Sequence, residues 1–150
     1  MKKLFYLVAS ICITLTSYSQ SNKEEIAIKA LLEKESATWR AKDVTAHTTC
    51  WHIQPYSKML VSTADGMVIN VPLEKVVNPE PKNMGDGGTS INSNYTFSIH
   101  GNDAWVSHDE LSTSPTGKQT TTSEIRILEK INGQWKLVGQ SIMVHRQKMP

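Results

Sequence analysis

The run SEIRILEKINGQWKLVGQSIMVH, Ser123–His145, decides how this chain is read. Two strand-like stretches flank Asn132-Gly133, a dipeptide that tolerates the positive φ angles of a two-residue type I′ turn. That turn sets a register: Glu129 opposite Lys136, Leu128 opposite Leu137, Ile127 opposite Val138, all chemically sensible cross-strand pairs. One face of the hairpin then carries Ile125, Ile127, Val138, Ile142 and Val144. The other carries Glu124, Arg126, Leu128, Trp135, Leu137, Gly139 and Ser141, mixing apolar bulk with a charge pair and a gap at Gly139.

The chain of 150 residues opens on Met1-Lys2-Lys3, followed by the apolar run Leu4–Thr16 and the small residues of Ser17-Tyr18-Ser19. This is the pattern of a cleaved secretory signal over residues 1–19, with one domain over residues 20–150, and it implies a secreted or periplasmic product. Loss of Lys2 and Lys3 would leave fourteen basic residues against fourteen acidic ones. A formally neutral chain argues against a nucleic-acid partner, which needs a basic face, and nothing after the leader is apolar enough for a membrane. Cys12 would leave with the leader, so Cys50 has no partner for an internal disulfide.

Asn22–Lys42 reads as a helix capped by Ser21 or Asn22, with Ile28, Leu31, Leu32 and Trp39 on one face. Glu35 sits in the middle of that face: either a pocket acid or a carboxylate with a route to solvent. Ala41-Lys42-Asp43 breaks the helix, and Asp43 caps a second one, Val44–His52. His47 and Cys50 share a face there, but His52 points elsewhere and no fourth ligand appears, so neither a metal nor another cofactor is expected. Ser57–Thr63 and Met67–Val71 flank a turn at Ala64-Asp65-Gly66, and Pro72 opens a short helix, Leu73–Val77. Gly85-Asp86-Gly87-Gly88 is a surface loop or a lid, not a phosphate loop, because no Gly-Lys-Ser/Thr follows. In Ser90–His100, Ile91, Tyr95, Phe97 and Ile99 alternate onto one side. In Ala104–Thr113, Trp105, Ser107, Asp109 and Leu111 share one side, and Val106, His108 and Glu110 the other.

A long helix followed by late antiparallel strands is an α+β pattern. Trp39 followed by Ala41-Lys42-Asp43, then Glu124-Ile125-Arg126 and Asn132-Gly133-Gln134-Trp135-Lys136-Leu137-Val138, give the chain from about Asn22 to His145 a resemblance to the nuclear transport factor 2-like superfamily, close to secreted bacterial SnoaL-like domains. The resemblance implies a cone-shaped, curved antiparallel sheet packed on the long N-terminal helix, a deep cavity, and a homodimer formed through the sheet. A distant relative, the association domain of calmodulin-dependent kinase, has a pocket arginine at the place of Arg126 and a pocket aromatic near that of His47. By this likeness Arg126, Leu128 and Leu137 face the cavity; the opposite face of the hairpin is itself a good core face, and both assignments stay open. Many relatives carry histidines where this chain has Gly139 and Ser141, and the tyrosine–aspartate and histidine-pair sites of ketosteroid isomerase and scytalone dehydratase have no counterpart here.

On that fold the candidate ligand-binding residues are Glu35, Trp39, His47, Trp51, Trp105, Asp109, Arg126 and Ser141. Aromatic walls with a few polar groups suit a small molecule. Arg126 would take a carboxylate or similar anion in a bidentate contact, or else pair with Glu124 on its own strand. Three functions follow: a small-molecule-binding module, a lyase or isomerase with His47 or Asp109 as base, and a dimeric interaction domain whose cavity holds nothing.

Overall fold

The computed structural model describes residues 22–146; the expected leader and the capping residue Ser21 lie outside the described residues. Helix α1 runs over residues 22–40 and buries Ile28, Leu32, Glu35 and Ser36 along one stripe. It stops where Lys42 takes a left-handed φ of 58°. The amide of Asp43 then donates to the Thr38 carbonyl and that of Lys42 to the Trp39 carbonyl, a Schellman ending. Asp43 caps helix α2, Val44–Thr48, by accepting the Ala46 amide at 2.9 Å. The three residues Ala41-Lys42-Asp43 thus turn the chain as expected.

Helix α2 is shorter than the expected Val44–His52. Backbone pairing wins over helix continuation: the Leu137 amide donates to the Cys50 carbonyl and the His52 amide to the Leu137 carbonyl, both at 2.9 Å. Strands β1 (Lys58–Ser62) and β2 (Val68–Val71) form the expected hairpin, and Pro72 precedes helix α3 (Leu73–Val77). A 3-10 turn, Pro81–Asn83, leads into the glycine-rich loop. Strands β3 (Thr89–His100), β4 (Asp103–Thr113), β5 (Gln119–Ile131) and β6 (Gln134–Val144) complete a six-stranded sheet in the order β2-β1-β6-β5-β4-β3. The fold is α+β with the long helix on the sheet. The expectation of an antiparallel sheet is corrected at one seam, since β1 runs parallel to β6.

The Asn132-Gly133 turn has φ angles of 50° and 79°, and the hairpin begins in the expected register, Glu129 with Lys136 and Leu128 with Leu137. The third expected pair fails. A bulge at Val138 places Ile127 opposite Gly139 and Arg126 opposite Gln140. One extra residue reverses which side of β6 every later side chain faces. A second bulge, between Ser93 and Thr96, does the same on β3, where Asn94 adopts a φ of 55°. Tyr95, Phe97 and Ile99 therefore pack on the core, whereas Ile91, expected beside them, is 66 % exposed. Trp135 joins the core and donates from Nε1 to Glu24 at 2.6 Å, tying the start of α1 to the hairpin tip.

Candidate functional site

Between α1, α2, α3 and the concave face of the sheet lies a cavity of about 600 Å³. This falls within the roughly 300–1,000 Å³ of small-molecule sites. Trp39 and Trp51 form aromatic wall, and Met59, Val61, Val71, Val76 and Ile142 form the aliphatic remainder. Exposed residues rim it: Lys75 on α3, Asp86 in the glycine-rich loop and Lys118 after β4. That loop is seated rather than free. A Cβ on Gly85 would sit 3.1 Å from the Arg40 Cα, and one on Gly88, at φ 79°, would sit 2.1 Å from the Thr113 carbonyl oxygen. The approach at Gly88 requires glycine, and the one at Gly85 is tight for any other residue.

The buried end is polar. The register brings Val106, Arg126, Gln140 and Met59 into one row on the concave side, and His108, Glu124, Ile142 and Val61 into the next. Arg126 donates from Nη1 to Glu35 Oε2 at 2.9 Å and from Nη2 to Glu124 Oε2. All three side chains are buried. Burial alone would push the Arg126 guanidinium down, but the charges and hydrogen bonds of Glu35 and Glu124 more than offset it and hold the group protonated. Of the two readings of Arg126, anion contact or pairing with Glu124, the structure shows the pairing, with Glu35 added: both terminal nitrogens serve the chain's own carboxylates.

His47, wholly buried, places Nε2 at 3.0 Å from the Val76 carbonyl oxygen and Nδ1 at 3.8 Å from Glu35 Oε1. Its ring stands between Trp39 and Trp51, with centroids 5.3 and 6.4 Å away. A second polar chain borders the cavity: Arg40 donates to Ser36 Oγ at 2.5 Å, and Ser36 and Ser112 each donate to Glu110 at 2.6 Å. Burial raises the Glu110 carboxyl, but these hydroxyls and the Arg126 and Arg40 charges prevail and keep it below the ordinary range. His108 stacks on Tyr95 at 5.1 Å, with Nε2 at 3.8 Å from Glu124. Burial and then the Arg126 charge hold its pKa down, so its ring is neutral.

Of the expected site residues, Glu35, Trp39, His47, Trp51 and Arg126 come together around the cavity. Trp105, Asp109 and Ser141 do not, and the expectation for these three is corrected. Trp105 and Asp109 occupy the convex side of β4, where Trp105 is 43 % exposed and Asp109 accepts from Asn94 and Ser123. Those two hydrogen bonds hold the Asp109 carboxyl below its usual value, which weakens it as a base. Ser141 is turned to the convex side, opposite Ile125, by the Val138 bulge, and Gln140 takes the inward place. Glu110, Ser36, Arg40 and Gln140 were missed. Glu110 was within reach, because strand alternation sets it on the opposite side from Asp109. Burial raises the Cys50 thiol, which makes it a poor nucleophile. Among the described residues, no three of His, Cys, Asp and Glu gather in a metal-binding arrangement.

No family model matches the chain, and no curated protein does. Solved structures do. A protein of unknown function from Shewanella baltica, described as nuclear transport factor 2-like, superposes with a TM-score of 0.64 at 16 % identity over 83 % of this chain and 96 % of its own. A protein of the same description from Silicibacter pomeroyi gives 0.65 at 11 % identity, covering 83 % and 98 %. A protein from Streptomyces avermitilis, provisionally named a dehydratase of that family, gives 0.62 at 11 % identity, covering 82 % and 97 %. By these superpositions the chain has the nuclear transport factor 2-like fold.

Proposed function

We propose that this chain is an exported binding domain for a small, largely apolar molecule, taken into the cone with its polar end toward Glu35, Arg126 and Glu124. The cavity carries the reading: about 600 Å³, apolar along its walls and polar at its buried end. Export is proposed from the Met1–Ser19 pattern alone. Ile142→Trp would fill the space from the floor of the sheet. Calorimetry with a small aromatic compound should show saturable binding to the native protein and none to that variant. A folded native protein that binds no small apolar compound would overturn the reading.

A second copy of the chain is proposed on the convex side of the sheet. There Trp105 lies beside Ile127, which is 50 % exposed, with Ile125 and Met143 nearby, and such a patch favours burial. Sedimentation of the native protein and of Ile127→Glu tests this: a dimer is expected for the first and a monomer for the second. The lyase or isomerase alternative now rests on His47, which lies 3.8 Å from Glu35 in the cavity wall, because Asp109 is on the other side. The naming of the Streptomyces protein points the same way. Under that alternative, His47→Gln would abolish turnover and keep binding.

A further inference from the structure

At the polar end of the cavity buried carboxylates outnumber guanidiniums. Three carboxylates, Glu35, Glu124 and Glu110, face two guanidiniums, Arg126 and Arg40. The neutral ring of His108 adds nothing. One negative charge is left uncompensated in a region where an unpaired charge is costly. The lysines at the rim, Lys75 and Lys118, are exposed to water and screened from it.

The hydrogen bonds locate the deficit. A carbonyl oxygen only accepts, so the bond to Val76 puts a proton on His47 Nε2. His47 Nδ1 has no hydrogen-bond partner and lies 3.8 Å from Glu35 Oε1. Gln140 donates its Nε2 toward Glu124 at 3.5 Å, which leaves its buried Oε1 unpartnered as well. Buried donors are unpartnered there too, among them Trp51 Nε1, Arg126 Nε and the N–H of the His108 ring, but none of them relieves the surplus charge. An excess carboxylate among unpartnered buried atoms is a place for a group that donates and carries positive charge.

We infer that the cavity selects an amine: an ammonium group enters at Glu35, His47 and Gln140, and the apolar body of the ligand lies against the tryptophan and aliphatic walls. This rests on the binding reading above and names the class of molecule bound. A carboxylate in the same position would meet Glu35 and Glu124, to which both terminal nitrogens of Arg126 already donate. A hydroxyl would leave the charge.

Three probes of one shape separate these cases: 2-phenylethylamine, 2-phenylethanol and phenylacetate, titrated by calorimetry into the purified full chain at pH 7. The amine should bind tighter than the alcohol by roughly tenfold or more, the size of one charge-assisted hydrogen bond, and phenylacetate should bind weakest. Glu35→Gln should erase the advantage of the amine and leave the alcohol nearly unchanged. Equal binding of amine and alcohol, or a preference for phenylacetate, would overturn the amine assignment while the binding function stands. Failure of all three to bind would overturn both. If the variant does not fold, the order of the three probes on the native protein decides alone.

Discussion

Arg126→Met removes the one cation that holds two buried carboxylates together. Methionine keeps most of the aliphatic stem and its packing, so the loss is chiefly electrostatic. In the native protein Glu35 and Glu124 share the guanidinium, and both carboxylates are buried. In the variant they remain buried, like-charged and unpaired. Breaking a buried pair in this way costs about 3–5 kcal/mol, a large part of the roughly 5–15 kcal/mol that holds a domain folded. The variant should also respond to pH in the opposite sense to the native protein. Orphaned carboxylates in a dry site have folded pKa values raised above their unfolded values, so their contribution is fully present below the unfolded value of about 4.3 and is lost as pH rises through the folded one. Native Glu110 and Asp109, held low, contribute above their unfolded values and lose that contribution on acidification. Urea unfolding followed by tryptophan fluorescence at pH 7 and pH 5 measures both. The variant should melt at far lower urea at pH 7 and recover part of the difference at pH 5. Adding Glu35→Gln and Glu124→Gln to Arg126→Met should restore much of the loss. A loss below about 1 kcal/mol at pH 7, or a variant that weakens on acidification as the native protein does, would refute the ion-pair reasoning.

His108 is buried with its pKa held low, so its neutral form contributes stability that is fully present above about pH 6.5 and is lost as pH falls below it. His108→Phe should therefore flatten the stability profile between about pH 7 and 5, read from urea midpoints. Gly88→Ala at the cavity rim meets both a left-handed φ and the Thr113 carbonyl oxygen, so it should cost about 1–3 kcal/mol and speed amide exchange in residues 85–88. Trp135→Phe keeps a ring in the core but drops the hydrogen bond to Glu24. It should cost about 1 kcal/mol and loosen the first turns of α1, visible in the same exchange experiment.

The fold was legible wherever a local rule stood alone. Asn132-Gly133 marks its turn, Asp43 its cap and Pro72 the opening of α3, because each depends on a residue's own backbone preferences. Alternation in strand β4 was equally legible. Its two faces were sorted correctly from the sequence, and only the choice of which one meets the cavity was wrong. That choice hung on the neighbouring strands, where two single-residue bulges intervene. In Lys136-Leu137-Val138-Gly139 the one cue is Gly139, since an isolated glycine inside a strand often marks a bulge, while Val138 is as good a strand residue as its neighbours. Asn94 carries a faint signal, asparagine being tolerant of positive φ, but it sits in a run that alternates well without it.

The consequences for the site follow from the period of two. Each bulge exchanges the faces beyond it, so Ser141 gave its place to Gln140, and Ile91 moved from core to surface. The gap expected at Gly139 opens on the convex side, where an added Cβ would meet Ile127 at 3.4 Å, not the cavity. Arg126 and Glu124 kept their places because they lie on β5, which pairs with β4 without interruption from Asp103 to Thr113. The partner that redefines Arg126, however, comes from 91 residues away on α1. Strand periodicity cannot supply a contact of that range. The helical periodicity that set Glu35 among apolar neighbours did supply half of it, because a carboxylate on a buried helical stripe requires a cation. Read together, the misplaced acid on α1 and the misplaced cation on β5 are each other's explanation, and the excess of carboxylate around them is the property by which the cavity would choose its ligand.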